Sequence, residues 1–227
     1  MKRTKTSLNL FLLFFISMTG YSQINLGESG QGGAINFVTR SSVTEFKAQG
    51  SPYLNEEFQV GKILVNGEAK ITALLRYNGY NNEIQIKEAE DKFGVIDKSS
   101  QYSAIIGNDR FEIRSYINNR DQVRTSYFIV LNEGPVKLLL KPEIKLRRGK
   151  EAQTPYERDE APRFFESFSY YLQQADEPAR EIRLKRSQIL SSLKGAKGKI
   201  EKLVEDQDLS YKEEKDVIKI IEAYNAI

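Results

Sequence analysis

The sequence predicts a mainly β protein closed by a small group of helices, α+β overall. Three observations predict it. From residue 53 to about 185 the apolar residues recur with period two, the period of a strand. The alternating runs are separated by clusters of Asn, Gly and Pro, the residues that tight turns use. From Ser187 onward the apolar residues recur at helical spacing instead. Short strands joined by tight turns make an antiparallel meander rather than crossover units. A sandwich, a rolled sheet or a small barrel would accommodate it.

The first 22 residues have the three parts of a secretory signal peptide. Lys2, Arg3 and Lys5 form a basic start, residues 8–18 are almost wholly apolar, and Gly20 and Ser22 are the small residues of a cleavage site before Gln23. The apolar run is shorter than the roughly 20 residues of a membrane-spanning helix. Cleavage would leave no transmembrane helix, and no Cys follows the run to be acylated. Residues 23–52 are rich in Gly, Ser and Gln and are expected to be a flexible N-terminal segment, with 43–47 as a candidate strand.

The β domain is expected at 53–185. Runs 60–65 and 68–77 flank Asn66-Gly67, the pair that a type I′ hairpin turn favours. In the second run Ala69, Ile71, Ala73, Leu75 and Tyr77 share one face. Residues 78–82 make another turn, after which Ile84 and Ile86 alternate with Glu83, Gln85 and Lys87. Runs 93–96 and 102–106 follow. In the next three strands, one face carries Phe111, Ile113, Ser115 and Ile117, then Val123, Thr125, Tyr127, Ile129 and Leu131, then Val136, Leu138, Leu140, Ile144 and Leu146. Pro142 interrupts the third row and predicts an edge strand or a bulge. Runs 163–173 and 180–185 complete the sheet. The helical tail is expected at 186–227. Its last helix should open on a capping box, Ser210 and Glu213. Val217, Ile220, Ile221, Tyr224 and Ile227 then fall on one face.

Composition excludes several functions. There are 34 Lys and Arg against 31 Asp and Glu, a formal +3. Lys2, Arg3 and Lys5 supply all of that excess, so the cleaved chain would carry 31 of each sign (34 less 3) and no net charge. A nucleic-acid partner is not expected of such a chain. The chain has no His, Cys or Trp, and its two methionines lie in the signal. No Ser-His-Asp triad or Cys nucleophile can form, and no cofactor and no zinc, copper or haem site is expected. An exported chain without disulfides must be held by its core.

The remaining candidates are weak as chemistry. Ser191 and Lys194 match S-x-x-K without its companion motifs, and 195–199 (GAKGK) lacks phosphate-loop spacing. Glu166 stands at the inward parity of Phe164, Phe168 and Tyr170, which would bury a carboxylate. No catalytic residue is assigned. Tyr77, Asn78, Tyr80, Asn81 and Asn82 form a turn dense in amide and aromatic groups, of a kind that can bind sugars or peptides. Lys137, Lys141, Lys145, Arg147, Arg148 and Lys150 stand against one acid, Glu143. The first four share the expected solvent parity of one strand. Such a row can meet an anionic surface or keep an edge strand from pairing.

In the stretches SPYLNEEF (51–58), LRYNGYNNEI (75–84) and IIEAYN (220–225), the sequence resembles a group of exported proteins of unknown function from Gram-negative bacteria. The resemblance implies an envelope location, periplasmic, outer-membrane-associated or secreted, and brings no activity with it. The expected function is non-enzymatic: binding or scaffolding of a protein or another envelope component. A glycan- or lipid-binding module is the alternative, and a carboxylate-based hydrolase a more distant one.

Overall fold

The computed structural model describes residues 35–227 except 42–46, 91, 153, 155 and 157. The expected signal peptide therefore lies outside the described residues. Eleven strands lie among the described residues: β1 Phe37–Ser41, β2 Gln59–Val65, β3 Glu68–Asn78, β4 Glu83–Lys87, β5 Lys92–Ile96, β6 Tyr102–Ile106, β7 Asp109–Ile117, β8 Val123–Val130, β9 Val136–Arg147, β10 Arg163–Gln174 and β11 Arg180–Ile182. Three helices follow, α1 Arg186–Ser192, α2 Lys197–Asp206 and α3 Glu214–Asn225. All strand pairs are antiparallel, in one open sheet of order β1-β5-β4-β3-β2-β6-β7-β8-β9-β10-β11.

Local chemistry explains the hairpins. Asn66 and Gly67 both take positive φ, 51° and 84°, and join β2 to β3 by the expected two-residue turn. The order then departs from a simple meander, because β6 returns to pair with β2 and not with β5. Residues 97–101 must link strands four positions apart, a distance of about 19 Å across a flat sheet. Ile96 and Tyr102, at the two ends of that link, lie in one core with Ile63, Leu75, Tyr77, Phe111 and Tyr127. A second core lies between β9–β11 and the helices. Leu138, Leu172 and Ile182 meet Ile189, Leu193, Ile200, Val217, Ile220 and Ile221 there. On the opposite face of β8–β10, Phe128, Leu139, Tyr171 and Ala179 make a third. Ala179 also exchanges main-chain hydrogen bonds with Ser115 and Ile117 of β7, both 2.9 Å.

Several expectations are corrected. The segment 23–52 is not wholly flexible: β1 pairs with β5, Ile35 is buried, and Gln49 bonds the main chain on either side of Arg163. Residues 43–46 of the candidate strand 43–47 lie outside the described residues, and Lys47 is not in a strand. Pro142 lies in an interior strand, without a bulge, opposite Phe168 of β10. Pro142 O and Ile144 N point away from β10, toward Tyr77 Oη and Gly79 O, where β8 no longer pairs. The N–H that proline lacks would have pointed to that same side, so no ladder bond is lost. The capping box also forms differently. α3 starts three residues later than expected, and Asp216 in its first turn accepts a hydrogen bond from Ser210 N at 3.0 Å. Ile227 lies past the helix and is exposed, not part of its apolar face.

A cleft built around Arg76

The segment before β2 crosses the outer face of the sheet. Gln49 docks on the start of β10. Leu54 N bonds Tyr77 O at 3.1 Å, and Tyr80 N bonds Pro52 O at 3.2 Å, so the strap is tied to the end of β3. Leu54 packs against the first core, and this holds Tyr53 and Phe58 over the opposite face of β3. Between strap and sheet lies a cleft of about 620 Å³, within the range of roughly 300–1,000 Å³ usual for small-molecule sites. The sequence stretches 51–58 and 75–84 meet here.

Arg76 is its centre. The guanidinium carbon sits 3.6 Å from the ring centroid of Tyr53 and 4.2 Å from that of Phe58. Nε donates to Gln85 Oε1 at 2.9 Å, and Nη1 donates to Glu56 O at 3.2 Å. Gln85 is only 1% exposed, because the strap covers the face that alternation alone would leave wet. Burial pulls the guanidinium below its ordinary pKa, while Tyr53 and Glu57 support its charge. It stays ionised at any physiological pH. Lys87, Lys92 and Arg40 add cations to the lining; Arg40 is paired with Glu83 at 3.3 Å. Glu56, Glu57 and Glu90 add carboxylates, and Asn78 and Asn81 add amides.

The turn residues singled out in the sequence divide into two roles. Tyr77 is 2% exposed, and its one hydroxyl proton is shared between Asn82 Oδ1 at 2.9 Å and Pro142 O at 3.2 Å. Burial, with Glu143 and Tyr127 nearby, raises its pKa. Asn82, at φ 56°, accepts from Tyr77 Oη, Ser126 Oγ and Tyr127 N. These two staple the β3–β4 turn to β8 and β9. Asn78 accepts from Asn81 N at 2.9 Å, and both line the cleft. Tyr80 packs edge-on against Phe164, its ring 5.4 Å away.

The basic residues of β9 do not form one solvent row. Lys141 is buried; its Nζ lies 3.0 Å from Tyr116 Oη and 3.0 Å from Glu143 Oε1. Burial lowers its pKa, but Tyr116 and Glu143 outweigh that, and the net shift is upward. The odd parity of β9 faces the third core near Leu139, which overturns the expected solvent parity. Lys137 Nζ bonds Gly134 O, and Lys145 Nζ bonds Ser167 Oγ. Arg147 lies 5.6 Å from the Phe165 ring centroid. Arg148 is exposed, and Lys150 exchanges main-chain bonds with Glu160. β9 pairs with β10 along its whole length but with β8 only at Leu139 and Leu140, so the stretch that holds Lys141, Lys145 and Arg147 has one side without a ladder partner. Glu166 is exposed, so the expected inward carboxylate is corrected too. The Ser191 and Ser192 hydroxyls both donate to Gln188 O, back into α1.

Reading the sequence by periodicity missed Arg76 and Gln85, which fall on the polar parity of β3 and β4. The available signal was the aromatic pair Tyr53 and Phe58 in a polar stretch beside them. No protein-family model, curated protein or solved structure matches this chain. Among the described residues no helix is long and apolar enough to cross a membrane, and no group of three or more Asp and Glu is placed to hold a metal ion.

Proposed function

We propose that this protein is an exported, non-enzymatic binding protein of the cell envelope whose recognition site is the Arg76 cleft. The tripartite N-terminus supports export, and the resemblance at 51–58 and 75–84 supports an envelope location. One observation carries the binding role: a guanidinium held in plane by Gln85 and the Glu56 carbonyl, with Tyr53 and Phe58 over it, lining a cleft of ligand size. Groups fixed before the ligand arrives lower the ordering cost of binding. Most of the lining is charged or amide-bearing, which favours a polar ligand over an acyl chain. A purely scaffolding role would not call for such a cleft.

The test is site-specific photo-crosslinking in the envelope fraction. A photoreactive residue at Phe93, in the cleft lining, is compared with one at Lys202, on α2. An adduct from position 93 that is absent from position 202 is the expected result. Adducts of equal yield at both positions would overturn the assignment of the cleft.

A further inference from the structure

We propose that the Arg76 cleft binds an acidic glycan, its anionic group meeting Arg76 and Lys87 and its hydroxyls meeting the carboxylate and amide rim. This rests on the binding role proposed above and names the chemical class of its ligand.

Three features of the site carry it. The first is the guanidinium itself. Nε and one N–H of Nη1 are committed within the protein, which fixes the plane of the guanidinium, and Tyr53 interacts with it as well. An arginine anchored in this way offers a planar fork whose orientation is already set, the geometry that carboxylate, sulfate and phosphate oxygens match. Lys87 and Lys92 are exposed cations in the same lining, and neither has an ion-pair partner among the described residues.

The second is the composition of the rim. Glu56, Glu57 and Glu90 are exposed acceptors, while Asn78 and Asn81 can both donate and accept. Hydroxyl groups satisfy such a set; a bare polyanion would not, since it would be repelled by three carboxylates. The ligand should therefore combine a localised negative charge with several hydroxyls. Phe93, half-buried in the lining, adds an apolar surface for a sugar ring.

The third is the main chain of the floor. β3 pairs with β2 and β4, β4 with β3 and β5, and β5 with β4 and β1. The floor thus leaves no strand edge for an extended peptide, which would bind chiefly by adding a strand. Recognition there must be made by side chains, as it is for a sugar.

The test is isothermal titration calorimetry on the purified full chain with four probes: tetragalacturonate, a sulfated tetrasaccharide, neutral maltotetraose and poly-glutamate. Binding of one or both acidic tetrasaccharides, weakened by added salt and absent for maltotetraose and poly-glutamate, is expected. The two acidic probes distinguish a carboxylate from a sulfate ligand. Arg76→Lys keeps the charge and removes the fork, and should cost about tenfold to a hundredfold in affinity, the range for hydrogen bonds to charged groups. The double variant Lys87→Gln/Lys92→Gln alters only exposed side chains and should weaken binding with the fold intact.

Equal binding of maltotetraose, still lost in Arg76→Lys, would overturn the acidic class and leave the cleft as a binding site. Binding of poly-glutamate as tight as that of the acidic sugars would overturn the glycan class. Acidic-sugar binding indifferent to all three substitutions would overturn the location and, with it, the proposed recognition site. Failure of every probe to bind at millimolar concentration would overturn the glycan proposal alone, because the crosslinking comparison at Phe93 and Lys202 does not depend on ligand class.

Discussion

Asn225, the last residue of α3, holds the β8–β9 turn through its side-chain amide. Oδ1 accepts from Val136 N at 2.9 Å, while Nδ2 donates to Val136 O at 2.8 Å and Glu133 O at 3.1 Å. Gly134, at φ 121°, makes room: a Cβ there would come within 2.4 Å of Nδ2. Asn225→Ala removes all three bonds, but the losses are unequal. Asn132 Nδ2 also donates to Val136 O and Glu133 O, each at 2.9 Å, so both carbonyls keep a partner. Only Val136 N–H is stranded, at a site partly shielded from water. A stranded donor costs about 1–3 kcal/mol and each of the two shared bonds about 0.5 kcal/mol; with the low end for a donor that water can partly reach, a loss of about 2 kcal/mol is expected. α3 should stay docked, since Val217, Ile220 and Ile221 are fully buried without help from Asn225. In urea, with a slope of about 2 kcal/mol/M, the unfolding midpoint should fall by about 1 M at unchanged slope. Asn225→Asp keeps the acceptor for Val136 N but sets a carboxylate oxygen against two carbonyls, and should also destabilise. A midpoint for the Ala variant within about 0.2 M of the parent would refute the reasoning.

Gly67→Val should cost about 1–3 kcal/mol, because φ is 84° and a β-branched residue resists it. A Cβ there meets nothing within 4 Å, so an unchanged denaturant midpoint would mean that the turn changes type freely. Lys141→Met leaves Glu143 with only Lys145, at 3.8 Å, and should cost about 1–2 kcal/mol, less than a fully buried pair because Glu143 is partly wet; an equal midpoint in chemical denaturation would contradict the buried contact. Alkaline stability should fall as well. Burial raises the Tyr77, Tyr127 and Tyr171 hydroxyls, and burial with Glu214 pushes Tyr170 up to about 12. The folded state thus holds these protons more tightly than the unfolded state does, and stability present below pH 10 is lost as pH climbs toward 12. Absorbance titration should show the buried tyrosines ionising only with unfolding; a single reversible tyrosine transition near 10 would exclude this.

Those elements that could be read from sequence were the ones whose cause is local. Asn66-Gly67 dictates its own turn, and Ile84 and Ile86, or Tyr127 and Ile129, alternate because each pair points into the first core. What could not be read depends on pairing at long range. β1 is a strand because Phe37 packs beside Gly94, where a Cβ would come within 2.5 Å of its ring. Lys141 looks solvent-facing by parity, but Tyr116 comes from β7 to cover it. Pro142 signals a missing ladder bond correctly, yet the unpaired side is local to an interior strand. The candidate site failed for the same reason. Arg76 and Gln85 have the parity of a wet face, and only the strap, placed by Gln49 on β10 and Leu54 on the core, turns that face into a cleft.

Arg76 could serve merely to hold the strap, and the structure provides a way to decide. Each guanidinium–ring contact contributes about 0.5–1 kcal/mol where exposed and about 2 kcal/mol where dry. Against that stands the cost of drawing a guanidinium partly out of water, visible as its lowered pKa. Leu74, two residues earlier on the same face, shows that an apolar side chain is tolerated there. The strap has other anchors: Leu54 in the core, Leu54 N on Tyr77 O, Tyr80 N on Pro52 O, and Gln49 on β10. A Met at position 76 could fill the space between Tyr53 and Phe58 without a charge. If holding the strap were the whole role, Arg76→Met would either leave the protein intact in every respect or release the strap. If the guanidinium is held for a ligand, Arg76→Met should keep the Leu54 and Tyr80 amides as protected from hydrogen exchange as in the parent, while abolishing the adduct captured at position 93. Loss of protection at those two amides, with capture retained, would make Arg76 a clamp and remove it from recognition.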